Sequence, residues 1–320
     1  EAVAGAAREA AAAFDDGRIY LERYLERSRH VEVQVFADTH GTVVHLGERE
    51  CSIQRRHQKI VEESPSPAVD ATLRAAMTDA GIRAAAAVNY VGAGTIEFLL
   101  DQEGRFYFLE MNTRLQVEHP VTEWVTGLDL VREQILVARG ARLSFDGVTT
   151  RGHALECRLY SEDPAHQFLP ATGTVHMLGE PSGPWVRFDT GITAGTRIGV
   201  DYDPLLAKIS TFGATREEAR TRMLVALRET VLLGVVTNRD YLLDVVAHPA
   251  FASGATHTEF LAEHFAGWTP PAGRHRTLVA VLAALALAGP AARPGGGAAA
   301  TSLPSPWESL GAWRPGAGSR

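Results

Sequence analysis

The sequence is short of cysteine, of lysine and of long apolar runs, and each shortage removes a class of protein. Two cysteines, Cys51 and Cys157, among 320 residues supply neither a disulfide framework nor a cysteine zinc site. A reducing, cytoplasmic setting is therefore expected. The longest apolar run, Leu278 to Ala288, is too short to cross a bilayer, so no membrane partner is expected. The first residues are alanine-rich but carry Glu1, Arg8, Glu9, Asp15 and Asp16, which reads as an amphipathic helix and not a secretory signal. A net charge of −7 argues against a nucleic-acid partner. Of 31 basic residues only Lys59 and Lys208 are lysine. Codon drift explains such an arginine excess without a functional cause. The two positions that keep a compact ammonium are the informative ones.

What remains is ordinary for a globular chain: 45% hydrophobic and 22% charged, with length for two domain-sized units. A helix is expected over 1–14 and a short strand over Ile19 to Tyr24. Val31, Val33 and Val35 alternate with Glu32 and Gln34, the pattern of a half-buried strand. A turn at His40-Gly41 leads to a second strand from Val43 to Arg49, and residues 52–60 read as polar and irregular. Ala68 to Val88 is helical in character. Thr95 to Asp101 and Arg105 to Met111 suggest a hairpin about Glu103-Gly104, and Val121 to Arg139 a helix broken near Gly127. A second region begins near Arg151, with strands over 153–160, 173–178 and 184–190. Thr215 and Glu218 make a capping box for a helix ending before Gly234. From Gly267 proline, glycine and alanine dominate around one possible helix at 276–288, the composition of a linker.

The hairpin carries the sharpest inference. With Glu103 and Gly104 as the loop, Asp101 faces Phe106 and Glu97 faces Glu110. Like charges opposed across strands destabilise, the more so when buried. A divalent cation such as Mg²⁺ or Mn²⁺ would offset them. An exposed hairpin with both acids in water is the alternative. If the chain stays extended past Glu110, then Glu110, Asn112, Arg114, Gln116 and Glu118 share one face until Pro120 stops the strand. That face can hold a metal at one end, an anion at Arg114 and a base at Glu118. A solvated edge strand of mixed charge is the competing description. The polar run Glu48 to Lys59 is either a basic surface loop or a site that needs the Lys59 ammonium. Gly92-Ala93-Gly94 lacks the Lys-Ser/Thr of a phosphate loop.

These residues resemble one family. Glu22-Arg23-Tyr24-Leu25 with Arg29 to Gln34, the run Gln54 to Lys59, and Glu110 to Pro120 are similar to motifs of biotin carboxylases. So are Glu156-Cys157-Arg158, Glu162-Asp163-Pro164, and Tyr202-Asp203-Pro204 through Lys208. The resemblance runs from residue 1 to about 265. It implies an α+β fold: an ATP-grasp C-terminal lobe, an antiparallel sheet with helices, followed by the biotin carboxylase C-terminal domain. The implied division is 1–24 for the end of the lid, 25–150 for the catalytic lobe, 151–266 for the C-terminal domain and 267–320 for a linker and the start of a following region. The tail Ser305 to Arg314 resembles the region after biotin carboxylase in single-chain α subunits of acyl-CoA carboxylases.

The resemblance also implies roles. Glu22 and Leu25 would meet the adenine of ATP, with His30, Gln54 and His57 on the ribose and phosphate side. Glu97, Glu110 and Asn112 would hold Mg²⁺ or Mn²⁺. Lys59, Arg114, Gln116 and the Val117 backbone would cradle bicarbonate. Glu118 would be the general base, and Arg158 would stabilise the enolate of biotin. Implied partners are a biotin carboxyl carrier domain or protein, a carboxyltransferase and a second copy of the chain. Most of the lid is expected to be missing, which makes the segment alone a poor enzyme. A carbamoyl-phosphate-synthase-like ligase, or an inactive nucleotide-binding or dimerising fragment, are the rival readings.

Overall fold

In a computed structural model of the chain, which describes residues 1–271, 279 and 281–284, eight antiparallel strands form one sheet. Helix α1 (Ala2–Phe14) leads in with no buried residue. Strands β1 (Arg29–Ala37), β2 (Val43–Arg55) and β3 (Gln58–Ser64) come next, then α2 (Ala71–Ala87), β4 (Gly92–Leu100) and β5 (Phe106–Asn112). Helices α3 (His119–Thr126) and α4 (Leu130–Ala138) follow, separated at Gly127, whose φ of 75° ends α3. Beyond them lie β6 (His153–Tyr160), β7 (Val186–Thr190), β8 (Leu205–Gly213), α5 (Arg216–Glu229) and α6 (Arg239–Ala247). The strand order is β7-β8-β6-β3-β2-β1-β4-β5. Because β6 pairs with both β3 and β8, the sheet runs unbroken past position 150. Residues Glu1–Pro271 make one compact unit.

Two apolar clusters back one face of this sheet. Val31, Val33 and Val35 pack with Met77 and Ala85 of α2. Gly81 permits the close approach, since a Cβ there would lie 3.0 Å from Val33 Cγ1. Asp70 caps α2 by accepting from Leu73 N at 2.8 Å, satisfying one of the helix's orphan donors. Under β2, β3, β6 and β8 a second cluster joins Ile53, Val61, Leu155 and Ile209 to Met223 and Leu227 of α5 and Leu242 and Val245 of α6. Thr215 caps α5 through Glu218 N, as its sequence suggests.

Three local expectations fail for identifiable reasons. The β1 strand is not half-buried: Glu32 and Gln34 are as fully buried as the valines, because Arg49 and Lys59 lie across that face and bond them. Residues 52–60 are not irregular but form the β2–β3 hairpin, with Arg55 paired to Gln58. Its turn residues Arg56 and His57 both have positive φ, 48° and 66°, a conformation usually signalled by Asn-Gly. Ile19 to Tyr24 is not a strand. No neighbour among the described residues offers it a ladder, and Tyr20 and Leu21 are exposed. The tail 267–320 falls largely outside the described residues. Of the helix expected at 276–288, Val279 and residues 281–284 are helical, and Ser305 to Arg314 lies outside.

Candidate functional site

Glu97 does face Glu110, by a different route from the one the sequence suggests. The loop is longer than two residues: Leu100, not Asp101, pairs with Phe106. Asp101 Oδ1 organises residues 101–105 by accepting from Glu103 N and Arg105 N at 3.0 and 2.8 Å. A β-bulge then leaves Leu109 unpaired between Phe108, opposite Phe98, and Glu110. The bulge restores the count that the longer loop had displaced. Burial is one-sided. Glu97 is 4% exposed, whereas Glu110 lies exposed at the rim. Asn112 Nδ2 donates to both carboxylates, 3.0 Å to Glu97 Oε1 and 3.2 Å to Glu110 Oε1.

The segment beyond Asn112 is not extended. The strand ends there, the chain bends at Arg114 and turns at Val117-Glu118, and Glu118 becomes the N-cap residue of α3. Pro120 therefore opens a helix, where its missing N–H costs nothing, and does not stop a strand. The bend nonetheless delivers Glu110, Asn112, Arg114, Gln116 and Glu118 to one cleft of about 1020 Å³. Glu22, Leu25, His30, Gln54, His57, Lys59, Val117 and Arg158 line the same cleft. Glu22, His57 and Arg114 are exposed at its mouth, while His30, Gln116, Glu118 and Arg158 are buried in its wall.

Charge compensation inside this wall comes from the chain itself. Lys59 Nζ donates to Glu32 Oε2 at 2.5 Å, to Glu97 Oε1 at 2.7 Å and to Glu118 Oε1 at 2.7 Å. All three ammonium hydrogens are used, a tripod that a planar guanidinium cannot reproduce. Arg158 Nε donates to Glu62 Oε1 at 2.5 Å, and its Nη2 to Glu118 Oε2 at 3.0 Å. Gln116 Nε2 donates to Glu97 Oε1 at 2.8 Å. His30 Nε2 lies 2.9 Å from Glu97 Oε2, and its Nδ1 lies 2.7 Å from Gln54 Nε2. The segment over 22–27 is tied down by Tyr24 Oη donating to Glu259 Oε1 at 3.0 Å and by Arg27 bonding Glu263 at 2.8 Å.

The electrostatics follow from these contacts. Burial pushes the Glu32 carboxyl up, but Lys59 and Arg49 outweigh it and hold the group at about 2. Burial also opposes the charge on Glu97, yet His30 and Lys59 hold its carboxyl well below the usual range. Burial works against the Lys59 ammonium too, and Glu32 with its fellow acids keeps it above the ordinary lysine range. Burial pushes the thiols of Cys51 and Cys157 well up, which leaves neither suited to act as a nucleophile.

The oxygen donors of Glu97, Glu110 and Asn112 suit a hard cation shared with phosphates. Asn112 already draws the two acids together across the cleft mouth, so the residues fit Mg²⁺ or Mn²⁺. His30, Glu32 and Glu97 also converge, but the Lys59 ammonium sits on both of those acids.

Sequence reasoning missed the support behind the site. Arg49 is fully buried and spends its donors on Glu32 Oε1 (2.7 Å), Gln34 Oε1 (2.6 Å), Thr122 Oγ1 (2.9 Å), Thr95 Oγ1 (3.2 Å) and Gln116 Oε1 (3.0 Å). It fixes the polar face of β1 to β4, to α3 and to the Gln116 turn. Lys208 Nζ donates to Val117 O at 2.7 Å, holding the same turn from below. The available signals were the polar positions Glu32 and Gln34, which look like a solvent face until β1 is known to be central, and the rarity of lysine.

Comparison with known proteins finds two family models in series. The carbamoyl-phosphate synthase L chain ATP-binding domain matches residues 1–145, and the biotin carboxylase C-terminal domain matches residues 156–263. Over 257 residues the chain is 50% identical to a biotin carboxylase of Nostoc sp., covering 80% of the chain and 58% of that protein. Over 267 residues it is 46% identical to the rat mitochondrial methylcrotonoyl-CoA carboxylase subunit alpha, covering 82% of the chain and 37% of that protein. A Campylobacter jejuni biotin carboxylase solved as a β-γ-ATP complex superposes with a TM-score of 0.79 at 41% identity, over 82% of this chain and 59% of that one. The biotin carboxylase domain dimer of Hydrogenobacter thermophilus 2-oxoglutarate carboxylase, solved with MgADP, ADP and bicarbonate, gives 0.80 at 40% identity, over 82% and 58%. The chain thus spans little more than half the length of the biotin carboxylases it matches.

Proposed function

The chain belongs to the biotin carboxylase family, and from that premise we propose that it carries the part of an ATP-grasp ligase that activates bicarbonate and passes the carboxyl group to biotin. The observation that carries the reading is the position of Glu118. Its two carboxylate oxygens are held by Lys59 at 2.7 Å and Arg158 at 3.0 Å, beside the Glu97–Glu110 pair and inside one cleft. The bound nucleotide and bicarbonate named for the C. jejuni and H. thermophilus structures support the same ligands here.

In this reading Glu22 and Leu25 meet adenine, and His30, Gln54 and His57 face ribose and phosphate. Glu97, Glu110 and Asn112 would hold Mg²⁺ or Mn²⁺, whose charge offsets that of the ATP phosphates. Lys59, Arg114, Gln116 and the Val117 backbone hold bicarbonate. Glu118 takes the bicarbonate proton, and the freed oxygen attacks the γ-phosphorus, giving ADP and carboxyphosphate. Carboxyphosphate breaks down to CO₂ and phosphate, phosphate takes the N1′ proton of biotin, and N1′ attacks CO₂. Arg158 offsets the charge on the ureido oxygen of the biotin enolate. Lys59 and Arg158 also orient Glu118, so the base is fixed before substrate arrives. The proposed division is a catalytic lobe over 25–150 and a C-terminal domain over 151–266.

The partners in this reading are a biotin carboxyl carrier, a carboxyltransferase and a second copy of the chain, in the cytoplasm. Among the described residues no helix is long and apolar enough to cross a membrane. A carbamoyl-phosphate-synthase-like ligase draws on the model matching 1–145. The match over 156–263 and the 50% identical relative favour biotin carboxylation. The test is ADP formation by the full-length protein with bicarbonate, with and without free biotin. Stimulation by biotin supports the reading. Bicarbonate-dependent turnover indifferent to biotin supports the rival.

A further inference from the structure

Behind Arg158 the sheet places two acids face to face. Glu62 on β3 and Glu156 on β6 are direct cross-strand partners, and both are 0% exposed. Glu62 Oε1 accepts the 2.5 Å bond from Arg158 Nε. Its other oxygen, Oε2, and both carboxylate oxygens of Glu156 find no donor. Helix α3 closes over them, packed against β6, β8, β2 and β3. The charged and titratable groups acting on the pair are Arg158 on β6, Lys59 on β3, Lys208 on β8 and Glu118 in the turn that opens α3, with the neutral thiols of Cys51 and Cys157. Lys59 is already committed to Glu32, Glu97 and Glu118, and Lys208, which bonds the Val117 carbonyl, makes no hydrogen bond to either carboxylate oxygen of Glu156.

Two buried carboxylates opposed across strands, with three orphan oxygens between them, cannot both be charged without a large desolvation cost. One proton removes the conflict, because a carboxylic acid supplies the donor that the group of orphan acceptors lacks. We propose that Glu156 stands in the folded protein as a neutral acid sharing its proton with Glu62, and that Glu62 is thereby a positioning residue that sets the Arg158 guanidinium from behind. Arg158 is then held through Nε by Glu62 and turns Nη2 to Glu118. The electrostatics agree in direction. Burial pushes Glu156 well above the ordinary carboxyl value and pushes Glu62 up to about 7. As in other coupled acid pairs, the proton belongs to both groups. The positioning role rests on the assignment of Arg158 and Glu118 to the reaction. The proton pairing does not, which makes the two separable.

Infrared spectra of the chain in D₂O at neutral pH test the pairing without any activity measurement. The wild type should show a protonated-carboxyl carbonyl band that Glu156→Gln removes. A wild-type spectrum without that band overturns the proposal even if the variant fails to fold, and so does a band that survives Glu156→Gln. The positioning is read from the Arg158 Nε–H resonance, assigned by its loss in Arg158→Lys. Glu62→Gln should move it upfield and speed its exchange with water, and an unmoved signal overturns the positioning role. In the full-length protein the same variant should lower kcat for biotin carboxylation at least tenfold while the KM for ATP stays within about twofold. A matched loss in both, or none, contradicts the role. Were the infrared and resonance results obtained in a protein without biotin carboxylation, the pairing would stand and the functional reading would fall.

Discussion

Lys59 offers the sharpest quantitative test of the site's electrostatics. Its ammonium bonds three buried carboxylates, those of Glu32, Glu97 and Glu118. In Lys59→Met the methylene stem is kept and the charge is lost. Removing one partner of a buried ion pair costs about 3–5 kcal/mol, and here one cation serves three acids, so the upper half of that range is expected at pH 7. The pH dependence has a definite sign. Glu32 titrates at about 2 in the fold against an ordinary 4.5. A depressed carboxyl contributes stability that is present above 4.5 and lost as the pH falls towards 2, about 3 kcal/mol for this group. Without Lys59 the Glu32 carboxyl has only Arg49 as a bonded cation and titrates higher, so its contribution shrinks. The stability gap between wild type and variant should therefore be widest near pH 7 and close as the pH drops below 4.5. Urea unfolding of the chain at pH 7 and pH 4 measures it. A gap under about 1 kcal/mol at pH 7, or one that widens on acidification, would refute the reasoning.

Other expectations follow from the same contacts. Arg49→Met should destabilise the chain by about 3–5 kcal/mol, because Glu32 and four neutral oxygens lose their donors together, and denaturant midpoints measure it. Glu97→Gln in the full-length protein should weaken the Mg²⁺ dependence of ATP binding, measured by titrating nucleotide with and without metal. A Mg²⁺ dependence of ATP affinity unchanged from wild type would remove Glu97 from the cation site. Thr215→Ala should cost about 1 kcal/mol through loss of the α5 cap, visible as a small midpoint shift with no change in nucleotide affinity.

Much of the site was legible from the sequence, though partly by compensation. The Glu97–Glu110 pairing came from an assumed two-residue turn. The actual loop is longer and the Leu109 bulge corrects the register, and neither is encoded by turn residues that a pattern can find. The shared face from Glu110 to Glu118 came from assumed alternation, whereas a bend and the start of α3 produce it. Both inferences relied on the constraint that charged residues in an apolar frame must converge on something, and that constraint is stronger than any local geometry. The hairpin at Arg56-His57 was not legible because its turn lacks glycine and asparagine. Glu32, Arg49 and Glu62 were not legible because their role depends on which strands are central, a fact of sheet order that one strand's pattern does not contain. The Thr215 cap and the helix it opens needed only local chemistry.

The most direct measurement is ATP cleavage by Glu118→Gln in the full-length protein, with bicarbonate and free biotin. The variant keeps the shape and removes the charge between Lys59 and Arg158. If Glu118 is the base, bicarbonate-dependent ADP formation should fall by about 100-fold or more while nucleotide affinity stays within a few-fold. Turnover close to wild type would show that the carboxylate held by those two cations is not what activates bicarbonate.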